Sequence, residues 1–371
     1  GGGLLVRSFV RLQTVDPGFD TGQMLTMRLT LPPARYPDNA TGVFFTELVD
    51  RLERIPGVRE AAATSQFPPR GFVRNQFVVE GMEGSLDARL PSASFTIASP
   101  GYFEALGVSL RSGRLFTDRD VEGAPDVAII NEVAAERYFG GDDAVGRRFR
   151  LGASPEAASV EVIGVVSSTR NRGLDTPIDP EIFASLDQLP GNWNQLFMLI
   201  RTDGDPRAIL PAVRAEVAAM DPEQPIYAIM TVDEAFALTS APRRLATQFM
   251  AAFAAFALLL AVAGVYSVVS YGVSQRTPEI GLRMTLGASR QSLRRLIVGQ
   301  ALVPVAVGAG VGLAGAVALG RVMSGLLFDV GASDPLTLGG VVLTLVASAA
   351  LASYLPARRA STLDPASALR V

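Results

Sequence analysis

The chain of 371 residues is 49% hydrophobic and only 19% charged, with a mean hydropathy of +0.29, which is more apolar than a soluble protein requires. It has no Cys and no His, and all 33 basic residues are Arg, so thiol nucleophiles, disulfides, imidazole bases, His or Cys metal sites, Schiff-base lysines and a P-loop lysine are excluded. The net charge of -3 carries no nucleic-acid signal, and without lysine any ATP that drives the protein is expected on another chain.

In chain order, Gly1 to Val6 followed by Arg7 is too short to span a bilayer and reads as the end of another transmembrane helix, a remnant over 1–10. Met24 to Thr30 is a predicted strand. Thr41 to Ile55 follows as a helix with Phe44, Leu48, Leu52 and Ile55 on one face, and Pro56-Gly57 ends it before a strand at Val58 to Ser65. Asn39-Ala40-Thr41 fits a glycosylation acceptor, but Thr41 is better used as the N-cap of that helix. Candidate strands then fall at Ala93 to Ala98, Val127 to Ile130, Arg147 to Leu151, Val160 to Val166 and Glu181 to Ser185. Two short helices punctuate them, one capped by Ser99-Pro100 and closed at Gly107, the other capped by Asn131 and ended by Gly140-Gly141.

A second strand-helix-strand order comes late: Leu196 to Arg201, then Asp205-Pro206 opening a helix with Ile209, Val213, Val217 and Met220 on one face, then Pro225 to Met230. Thr231 to Glu234 has the T-x-x-E spacing of a capping box and opens a short helix leading towards the membrane. The expected fold is an α+β extracytoplasmic domain over 11–243, made of two β-α-β units around an inserted β-rich subdomain.

The remainder, 244–371, is expected to be an α-helical transmembrane domain. Residues 245–275, 296–320 and 335–357 carry no charge, in runs of 31, 25 and 23, and each can span a hydrocarbon core that needs about 20 apolar residues. The spans are placed near Phe249 to Tyr271, Leu296 to Gly320 and Leu336 to Leu355. Arg collects in the loop 273–295 and in the tail 357–371, which puts both in the cytoplasm and the segment from Arg11 to Arg243 outside it.

Other motifs read as structure. Phe139-Gly140-Gly141-Asp142-Asp143 follows a helix and lacks phosphate-loop and EF-hand spacing, so it reads as a turn at a helix C-terminus. Asp16-Pro17-Gly18 and Asp118 to Asp120 read as turn and cap residues. The Asp and Glu residues show no catalytic arrangement, and no G-x-S-x-G occurs, so no catalytic, cofactor or metal residues are assigned. Gly308, Gly312 and Gly315 place small residues on the second span, where they suit close helix packing. The loop Gln275 to Ser289 alternates charge and apolar residues. That suits either an interfacial helix binding lipid headgroups or a docking element for a cytoplasmic partner, and composition does not separate the two.

At this loop, Arg276-Thr277-Pro278-Glu279-Ile280-Gly281-Leu282-Arg283 with Leu286-Gly287-Ala288 resembles the R-T-x-E-I-G-x-R-x-A-L-G-A signature of FtsX-like ABC transporter permeases, departing only at Thr285. Ser99 to Phe103, Gly113 to Phe116, Val127 to Asn131, Phe139-Gly140 and Val162 to Val166 resemble the MacB-type periplasmic core domain. Val15 to Asp20 and Leu327-Phe328 with Asp334-Pro335-Leu336 look like the second module of the duplicated orphan permeases of this family.

The resemblance implies four spans per module, a second permease module in the same or a joined chain, and a bacterial inner-membrane location with a periplasmic outer domain. It also implies a separate cytoplasmic ABC ATPase docking on Arg276, Thr277, Glu279, Ile280, Gly281, Arg283, Leu286, Gly287 and Ala288. The function expected is mechanotransmission: ATP hydrolysis in the cytoplasm moves the outer domain to export an unknown substrate. The alternative is an FtsX-like signalling or scaffold permease that controls an extracytoplasmic enzyme such as a cell-wall hydrolase. An adaptor or channel captured by the outer domain favours the first, and a hydrolase favours the second.

Overall fold

The computed structural model describes residues 16–69, 73–81, 90–152, 154, 156–171, 173, 176–189, 193–276, 279, 282–283, 286, 289–322 and 335–360. The expected remnant at 1–10 and the tail beyond residue 360 lie outside them. Along the chain run β1 (Met24–Thr30), α1 (Ala40–Glu53), β2 (Val58–Thr64), β3 (Arg74–Val79), β4 (Ser92–Ala98), α2 (Tyr102–Leu106), β5 (Leu110–Gly113), β6 (Val127–Asn131) and α3 (Glu132–Tyr138). There follow β7 (Arg148–Leu151), β8 (Ser159–Val166), β9 (Glu181–Ser185), β10 (Gln195–Thr202), α4 (Leu210–Met220), β11 (Tyr227–Thr231), α5 (Val232–Gln275), α6 (Arg290–Val322) and α7 (Pro335–Ala360). The chain divides into two units between Ser240 and Ala241.

In the outer unit the two β-α-β segments interleave rather than stand apart. Their strands lie in the order β11-β1-β10-β2, all antiparallel, which is the split β-α-β arrangement. Every second residue of β1 faces one layer, so Leu25, Met27 and Leu29 meet Phe45, Leu48 and Leu52 of α1 and Val213 and Val217 of α4 in one core cluster. Met24 points the other way, into a second cluster with Tyr102, Phe103 and Leu106 of α2 and with Val232 and Ala235 at the start of α5.

The inserted part closes on itself. Pairings run β4-β3-β7-β8-β6-β9, and β9 returns to β4 in a parallel pair with Ser94 opposite Glu181 and Ala98 opposite Ser185. A closed sheet has no free edge among these six strands. Each strand contributes to the same core cluster as β1, α1 and α4, through Phe77, Phe95, Ile130, Phe149, Val162 and Ile182. Phe77 lies at its centre, 5.9 Å from each of Phe139 and Phe149 and 5.2 Å from Tyr138. β5 lies beside β8, and the approach is close: a Cβ on Gly113 would sit 2.1 Å from the Ile163 carbonyl oxygen, and one on Gly164 would sit 2.3 Å from that of Arg114. Gly113 and Gly164 of the motifs are thus required by backbone contact.

Three expected caps differ. Thr41 is not the N-cap of α1: it is buried one residue inside the helix, and Asn39, which precedes the helix, donates from its side chain to Glu122. The Ser99 hydroxyl caps nothing; it accepts from Ala63 N at 2.9 Å, and Gly101 at φ 83° starts α2. Asp205 heads a turn, accepting from Arg207 N at 2.9 Å, and α4 begins later behind Ile209. Asn131 does cap α3, accepting from Ala134 N at 2.9 Å. The capping box forms as well, with Thr231 N to Glu234 Oε2 at 2.9 Å and Glu234 N to Thr231 Oγ1 at 3.2 Å. The helix it opens is not short, however, because α5 continues for 44 residues to Gln275.

In the second unit, Gln248–Gln275, Arg295–Ala316 and Gly339–Pro356 are three helical stretches long and apolar enough to cross a membrane. Their large apolar side chains face outward, with Phe253 68% and Leu260 74% exposed, as lipid-facing residues are.

Candidate functional site

The charged residues of the expected coupling loop sit where α5 ends. Arg276, the first charge after the long apolar run, turns the chain with its amide donating to Val273 O at 3.2 Å. Its guanidinium Nη1 donates to Gln300 Oε1 on α6, also at 3.2 Å. Arg276 is therefore tied to the next span, which fixes the root of the loop.

Glu279, Leu282 and Arg283 are helical, and Leu286 N closes a turn onto Leu282 O at 3.1 Å. Glu279 and Arg283, four apart, are exposed, and among the described residues they form no ion pair with each other. Leu282 and Leu286 are 55% and 79% exposed on the same short stretch. An exposed carboxylate, a guanidinium and two leucines within eight residues make a mixed patch that a protein partner can cover. Thr277, Ile280, Gly281, Gly287 and Ala288 lie outside the described residues. Ser289 then starts α6, its hydroxyl accepting from Ser292 N at 3.2 Å.

Between α5, α6 and α7 runs a groove of about 900 Å³, apolar along the spans and polar at the end formed by Arg276, Glu279, Arg283 and Gln300. Gly308 and Gly312 line it. The packing expected at Gly308, Gly312 and Gly315 is not made by the described part of this chain: a Cβ on any of them would meet nothing within 4 Å.

The outer unit carries two polar clusters, one at Asp120, expected above as a turn and cap residue, and one at Glu181, which the sequence did not single out. Asp120 accepts both guanidinium nitrogens of Arg114, at 2.7 and 2.8 Å, and the Thr117 amide at 2.8 Å. The bond from Arg114 holds its carboxyl below the usual range. Glu181 opens β9 from a buried position, and burial drives its carboxyl up to about 7 against the Thr96 and Asn171 side chains, which favour the charged form. A Glu at the head of an apolar strand reads in sequence as a solvent-facing end, which is why it was missed.

Residues 7–219 match the family model of the MacB-like periplasmic core domain, and residues 251–365 match the FtsX-like permease C-terminal model. A macrolide export ATP-binding/permease protein MacB 1/2 of Paracoccus denitrificans is 27% identical over 78% of this chain and 44% of its own length. The permease YknZ of Bacillus subtilis is 24% identical over 91% of this chain and 82% of its own. The chain thus spans under half the length of the MacB relatives it matches. Among solved structures, the periplasmic region of MacB from Actinobacillus actinomycetemcomitans aligns with a TM-score of 0.39 and 16% identity, over 58% of this chain and 92% of that one. With its outer unit covered by the first model and its apolar helices by the second, the chain belongs to the MacB/FtsX-type ABC transporter permeases, membrane proteins with an extracytoplasmic domain.

Proposed function

We propose that the chain is the non-catalytic permease part of a mechanotransmission transporter, in which a separate cytoplasmic ATPase docks on the Glu279 to Ala288 loop and drives the outer domain to export a substrate. The observation that carries this reading is the exposed patch of Glu279, Leu282, Arg283 and Leu286 at the foot of α5. That helix begins among buried residues of the outer unit, with Val232 and Ala235 fully buried. The open glycines of α6 suit a second permease module packing along the groove, as in a duplicated permease. The inner membrane follows from the same reading, and the export role from the names of the MacB relatives. Co-purification of the full-length protein with an ATPase subunit, and a nucleotide-dependent change in the outer domain, test it.

Two expected results arise here. Cysteines introduced singly at Ser159 and Ser292, both exposed, enter a background without native Cys. The first is expected to label from outside the cell with an impermeant reagent, the second only after permeabilisation. Equal accessibility overturns the orientation. This chain alone is also expected neither to bind nor to hydrolyse ATP, having no G-x-x-x-x-G-K-[ST] and no lysine. Specific hydrolysis surviving removal of contaminating ATPases contradicts that.

A further inference from the structure

The face of the split sheet that turns away from α1 and α4 carries a guanidinium near its middle. On β1, Leu25, Met27 and Leu29 face the helices, so Met24, Thr26 and Arg28 face the other way. Arg28 stands opposite Phe197 of β10 and Tyr227 of β11, and Thr26 stands opposite Leu199 and Met230. Residues directly opposite share a face, so a row Tyr227-Arg28-Phe197 crosses three strands. Phe67 closes one end of it, with its ring 5.1 Å from that of Phe197. The Arg28 guanidinium lies 5.9 Å from the centre of the Tyr227 ring, within cation–π reach.

A backbone irregularity makes this row. With Thr26 paired to Met230, a regular ladder would set Ala228 opposite Arg28 and turn Tyr227 to the helix side. Instead the register slips by one residue, Tyr227 takes that place, and Ala228 is held at φ 50°, a strained conformation for a residue with a Cβ. Bulges of this kind re-aim side chains, and this one brings an aromatic ring beside the cation. The cation itself is unsatisfied. Nε of Arg28 and Oγ1 of Thr26 are buried without a hydrogen-bond partner, and among the described residues no carboxylate pairs with Arg28. Arg201, on the same face, shows the contrast: it donates to Asp20 Oδ2 at 2.7 Å and to the carbonyl oxygens of Asp20 and Ala105. A shielded donor left unpaired is a cost that an added acceptor removes.

We propose that this row is a binding site for a small carboxylate carried on a flat apolar body. The carboxylate pairs with the Arg28 fork through Nε and one Nη, and the body lies along Tyr227 and Phe197, which at two strand spacings stand about 10 Å apart. Tyr227 is 45% exposed and Arg28 half-buried, so the row is open to solvent. Nε alone is shut away, and turning the guanidinium outward to meet the carboxylate frees it. β1 is paired on both edges, so no backbone is offered to an added strand. Three side chains make a footprint for a small molecule rather than for a protein interface of about 20 residues a side. The site belongs to the outer unit and does not depend on the ATPase reading.

The probe is naphthoate, with naphthamide as its neutral twin, titrated on the full chain in lipid nanodiscs with the signal of empty nanodiscs subtracted. Naphthoate is expected to saturate with a Kd of about 1 mM or below, as a ligand of that size can reach. The amide is expected to bind about tenfold to a hundredfold more weakly, the range for losing a charge-assisted pair, and Arg28→Gln is expected to cost naphthoate as much. Arg28→Lys, which keeps the charge without the fork, is expected to fall between the two. Tyr227→Phe keeps the ring and is expected to keep the affinity, whereas Tyr227→Ala is expected to weaken binding several-fold. Hydrogen exchange over β1 and β10 is expected to be alike in all of these variants, which separates loss of the site from loss of the sheet. No saturable binding, equal binding of the amide, or unchanged binding in Arg28→Gln or in Tyr227→Ala overturns the site.

Discussion

Glu279→Arg is expected to leave expression and membrane insertion intact and to abolish stimulation of the partner ATPase, together with any ATP-dependent change in the outer domain. The side chain is exposed at the foot of α5 and has no ion pair with Arg283 among the described residues, so folding has little to lose from it. Reversal places a third cation beside Arg276 and Arg283, on a patch whose only described carboxylate was Glu279. A partner surface matched to that carboxylate then meets like charge, which weakens association on the order of 10²-fold. Ser289→Ala is the companion variant. It removes the hydroxyl that accepts Ser292 N but leaves the patch, so coupling is expected to persist. The measurement is ATPase stimulation by the full-length protein reconstituted with its ATPase. If Glu279→Arg couples as well as the parent, the loop is a lipid-facing helix and its assignment here fails.

How far the sequence reaches depends on which physical signal each element carries. β1 and β9 were readable to the residue because both are short apolar runs bounded by turn residues. β3 left no such signal: Arg74, Asn75 and Gln76 are polar and its first half is not buried, so only Phe77, Val78 and Val79 show the core. β5, with Leu110 and Arg111 exposed, is a strand only because β8 pairs with it. Missing β3 hid the barrel, whose closure rests on non-local pairs such as Ser94 with Glu181. Caps failed for a related reason. A Ser or Thr before an apolar stretch has other donors to satisfy, and Ser99 spends its hydroxyl on Ala63 N in another strand. At the loop, the charges and leucines were legible as residue types in a row. That Glu279 and Arg283 leave each other alone, and that Arg276 reaches Gln300, depends on where α6 passes.

Phe77→Ala is expected to destabilise the outer unit by about 3–5 kcal/mol, the range for removing a fully buried aromatic side chain from a packed core. Three rings surround it, stacked with Phe139 and edge-on to Tyr138 and Phe149, and they come from α3, its C-cap and β7. None of the three can move far into the vacated space, because β3 and β7 are held in register by the Phe77 to Leu151 and Val79 to Phe149 pairs and Phe139 N is bonded to Ala135 O. The barrel is a closed ring, so a strand that shifts to fill the cavity strains its neighbours on both sides. Phe77→Leu keeps most of the volume and is expected to cost markedly less. Hydrogen exchange at the Phe149 and Val162 amides reads the difference, with protection falling roughly a hundredfold or more for Ala. The apolar helices of the second unit are expected to keep their protection, since α5 to α7 contribute no residue to the cluster around Phe77. Equal loss in Phe77→Ala and Phe77→Leu, or none in either, removes Phe77 from the centre of the barrel's stability.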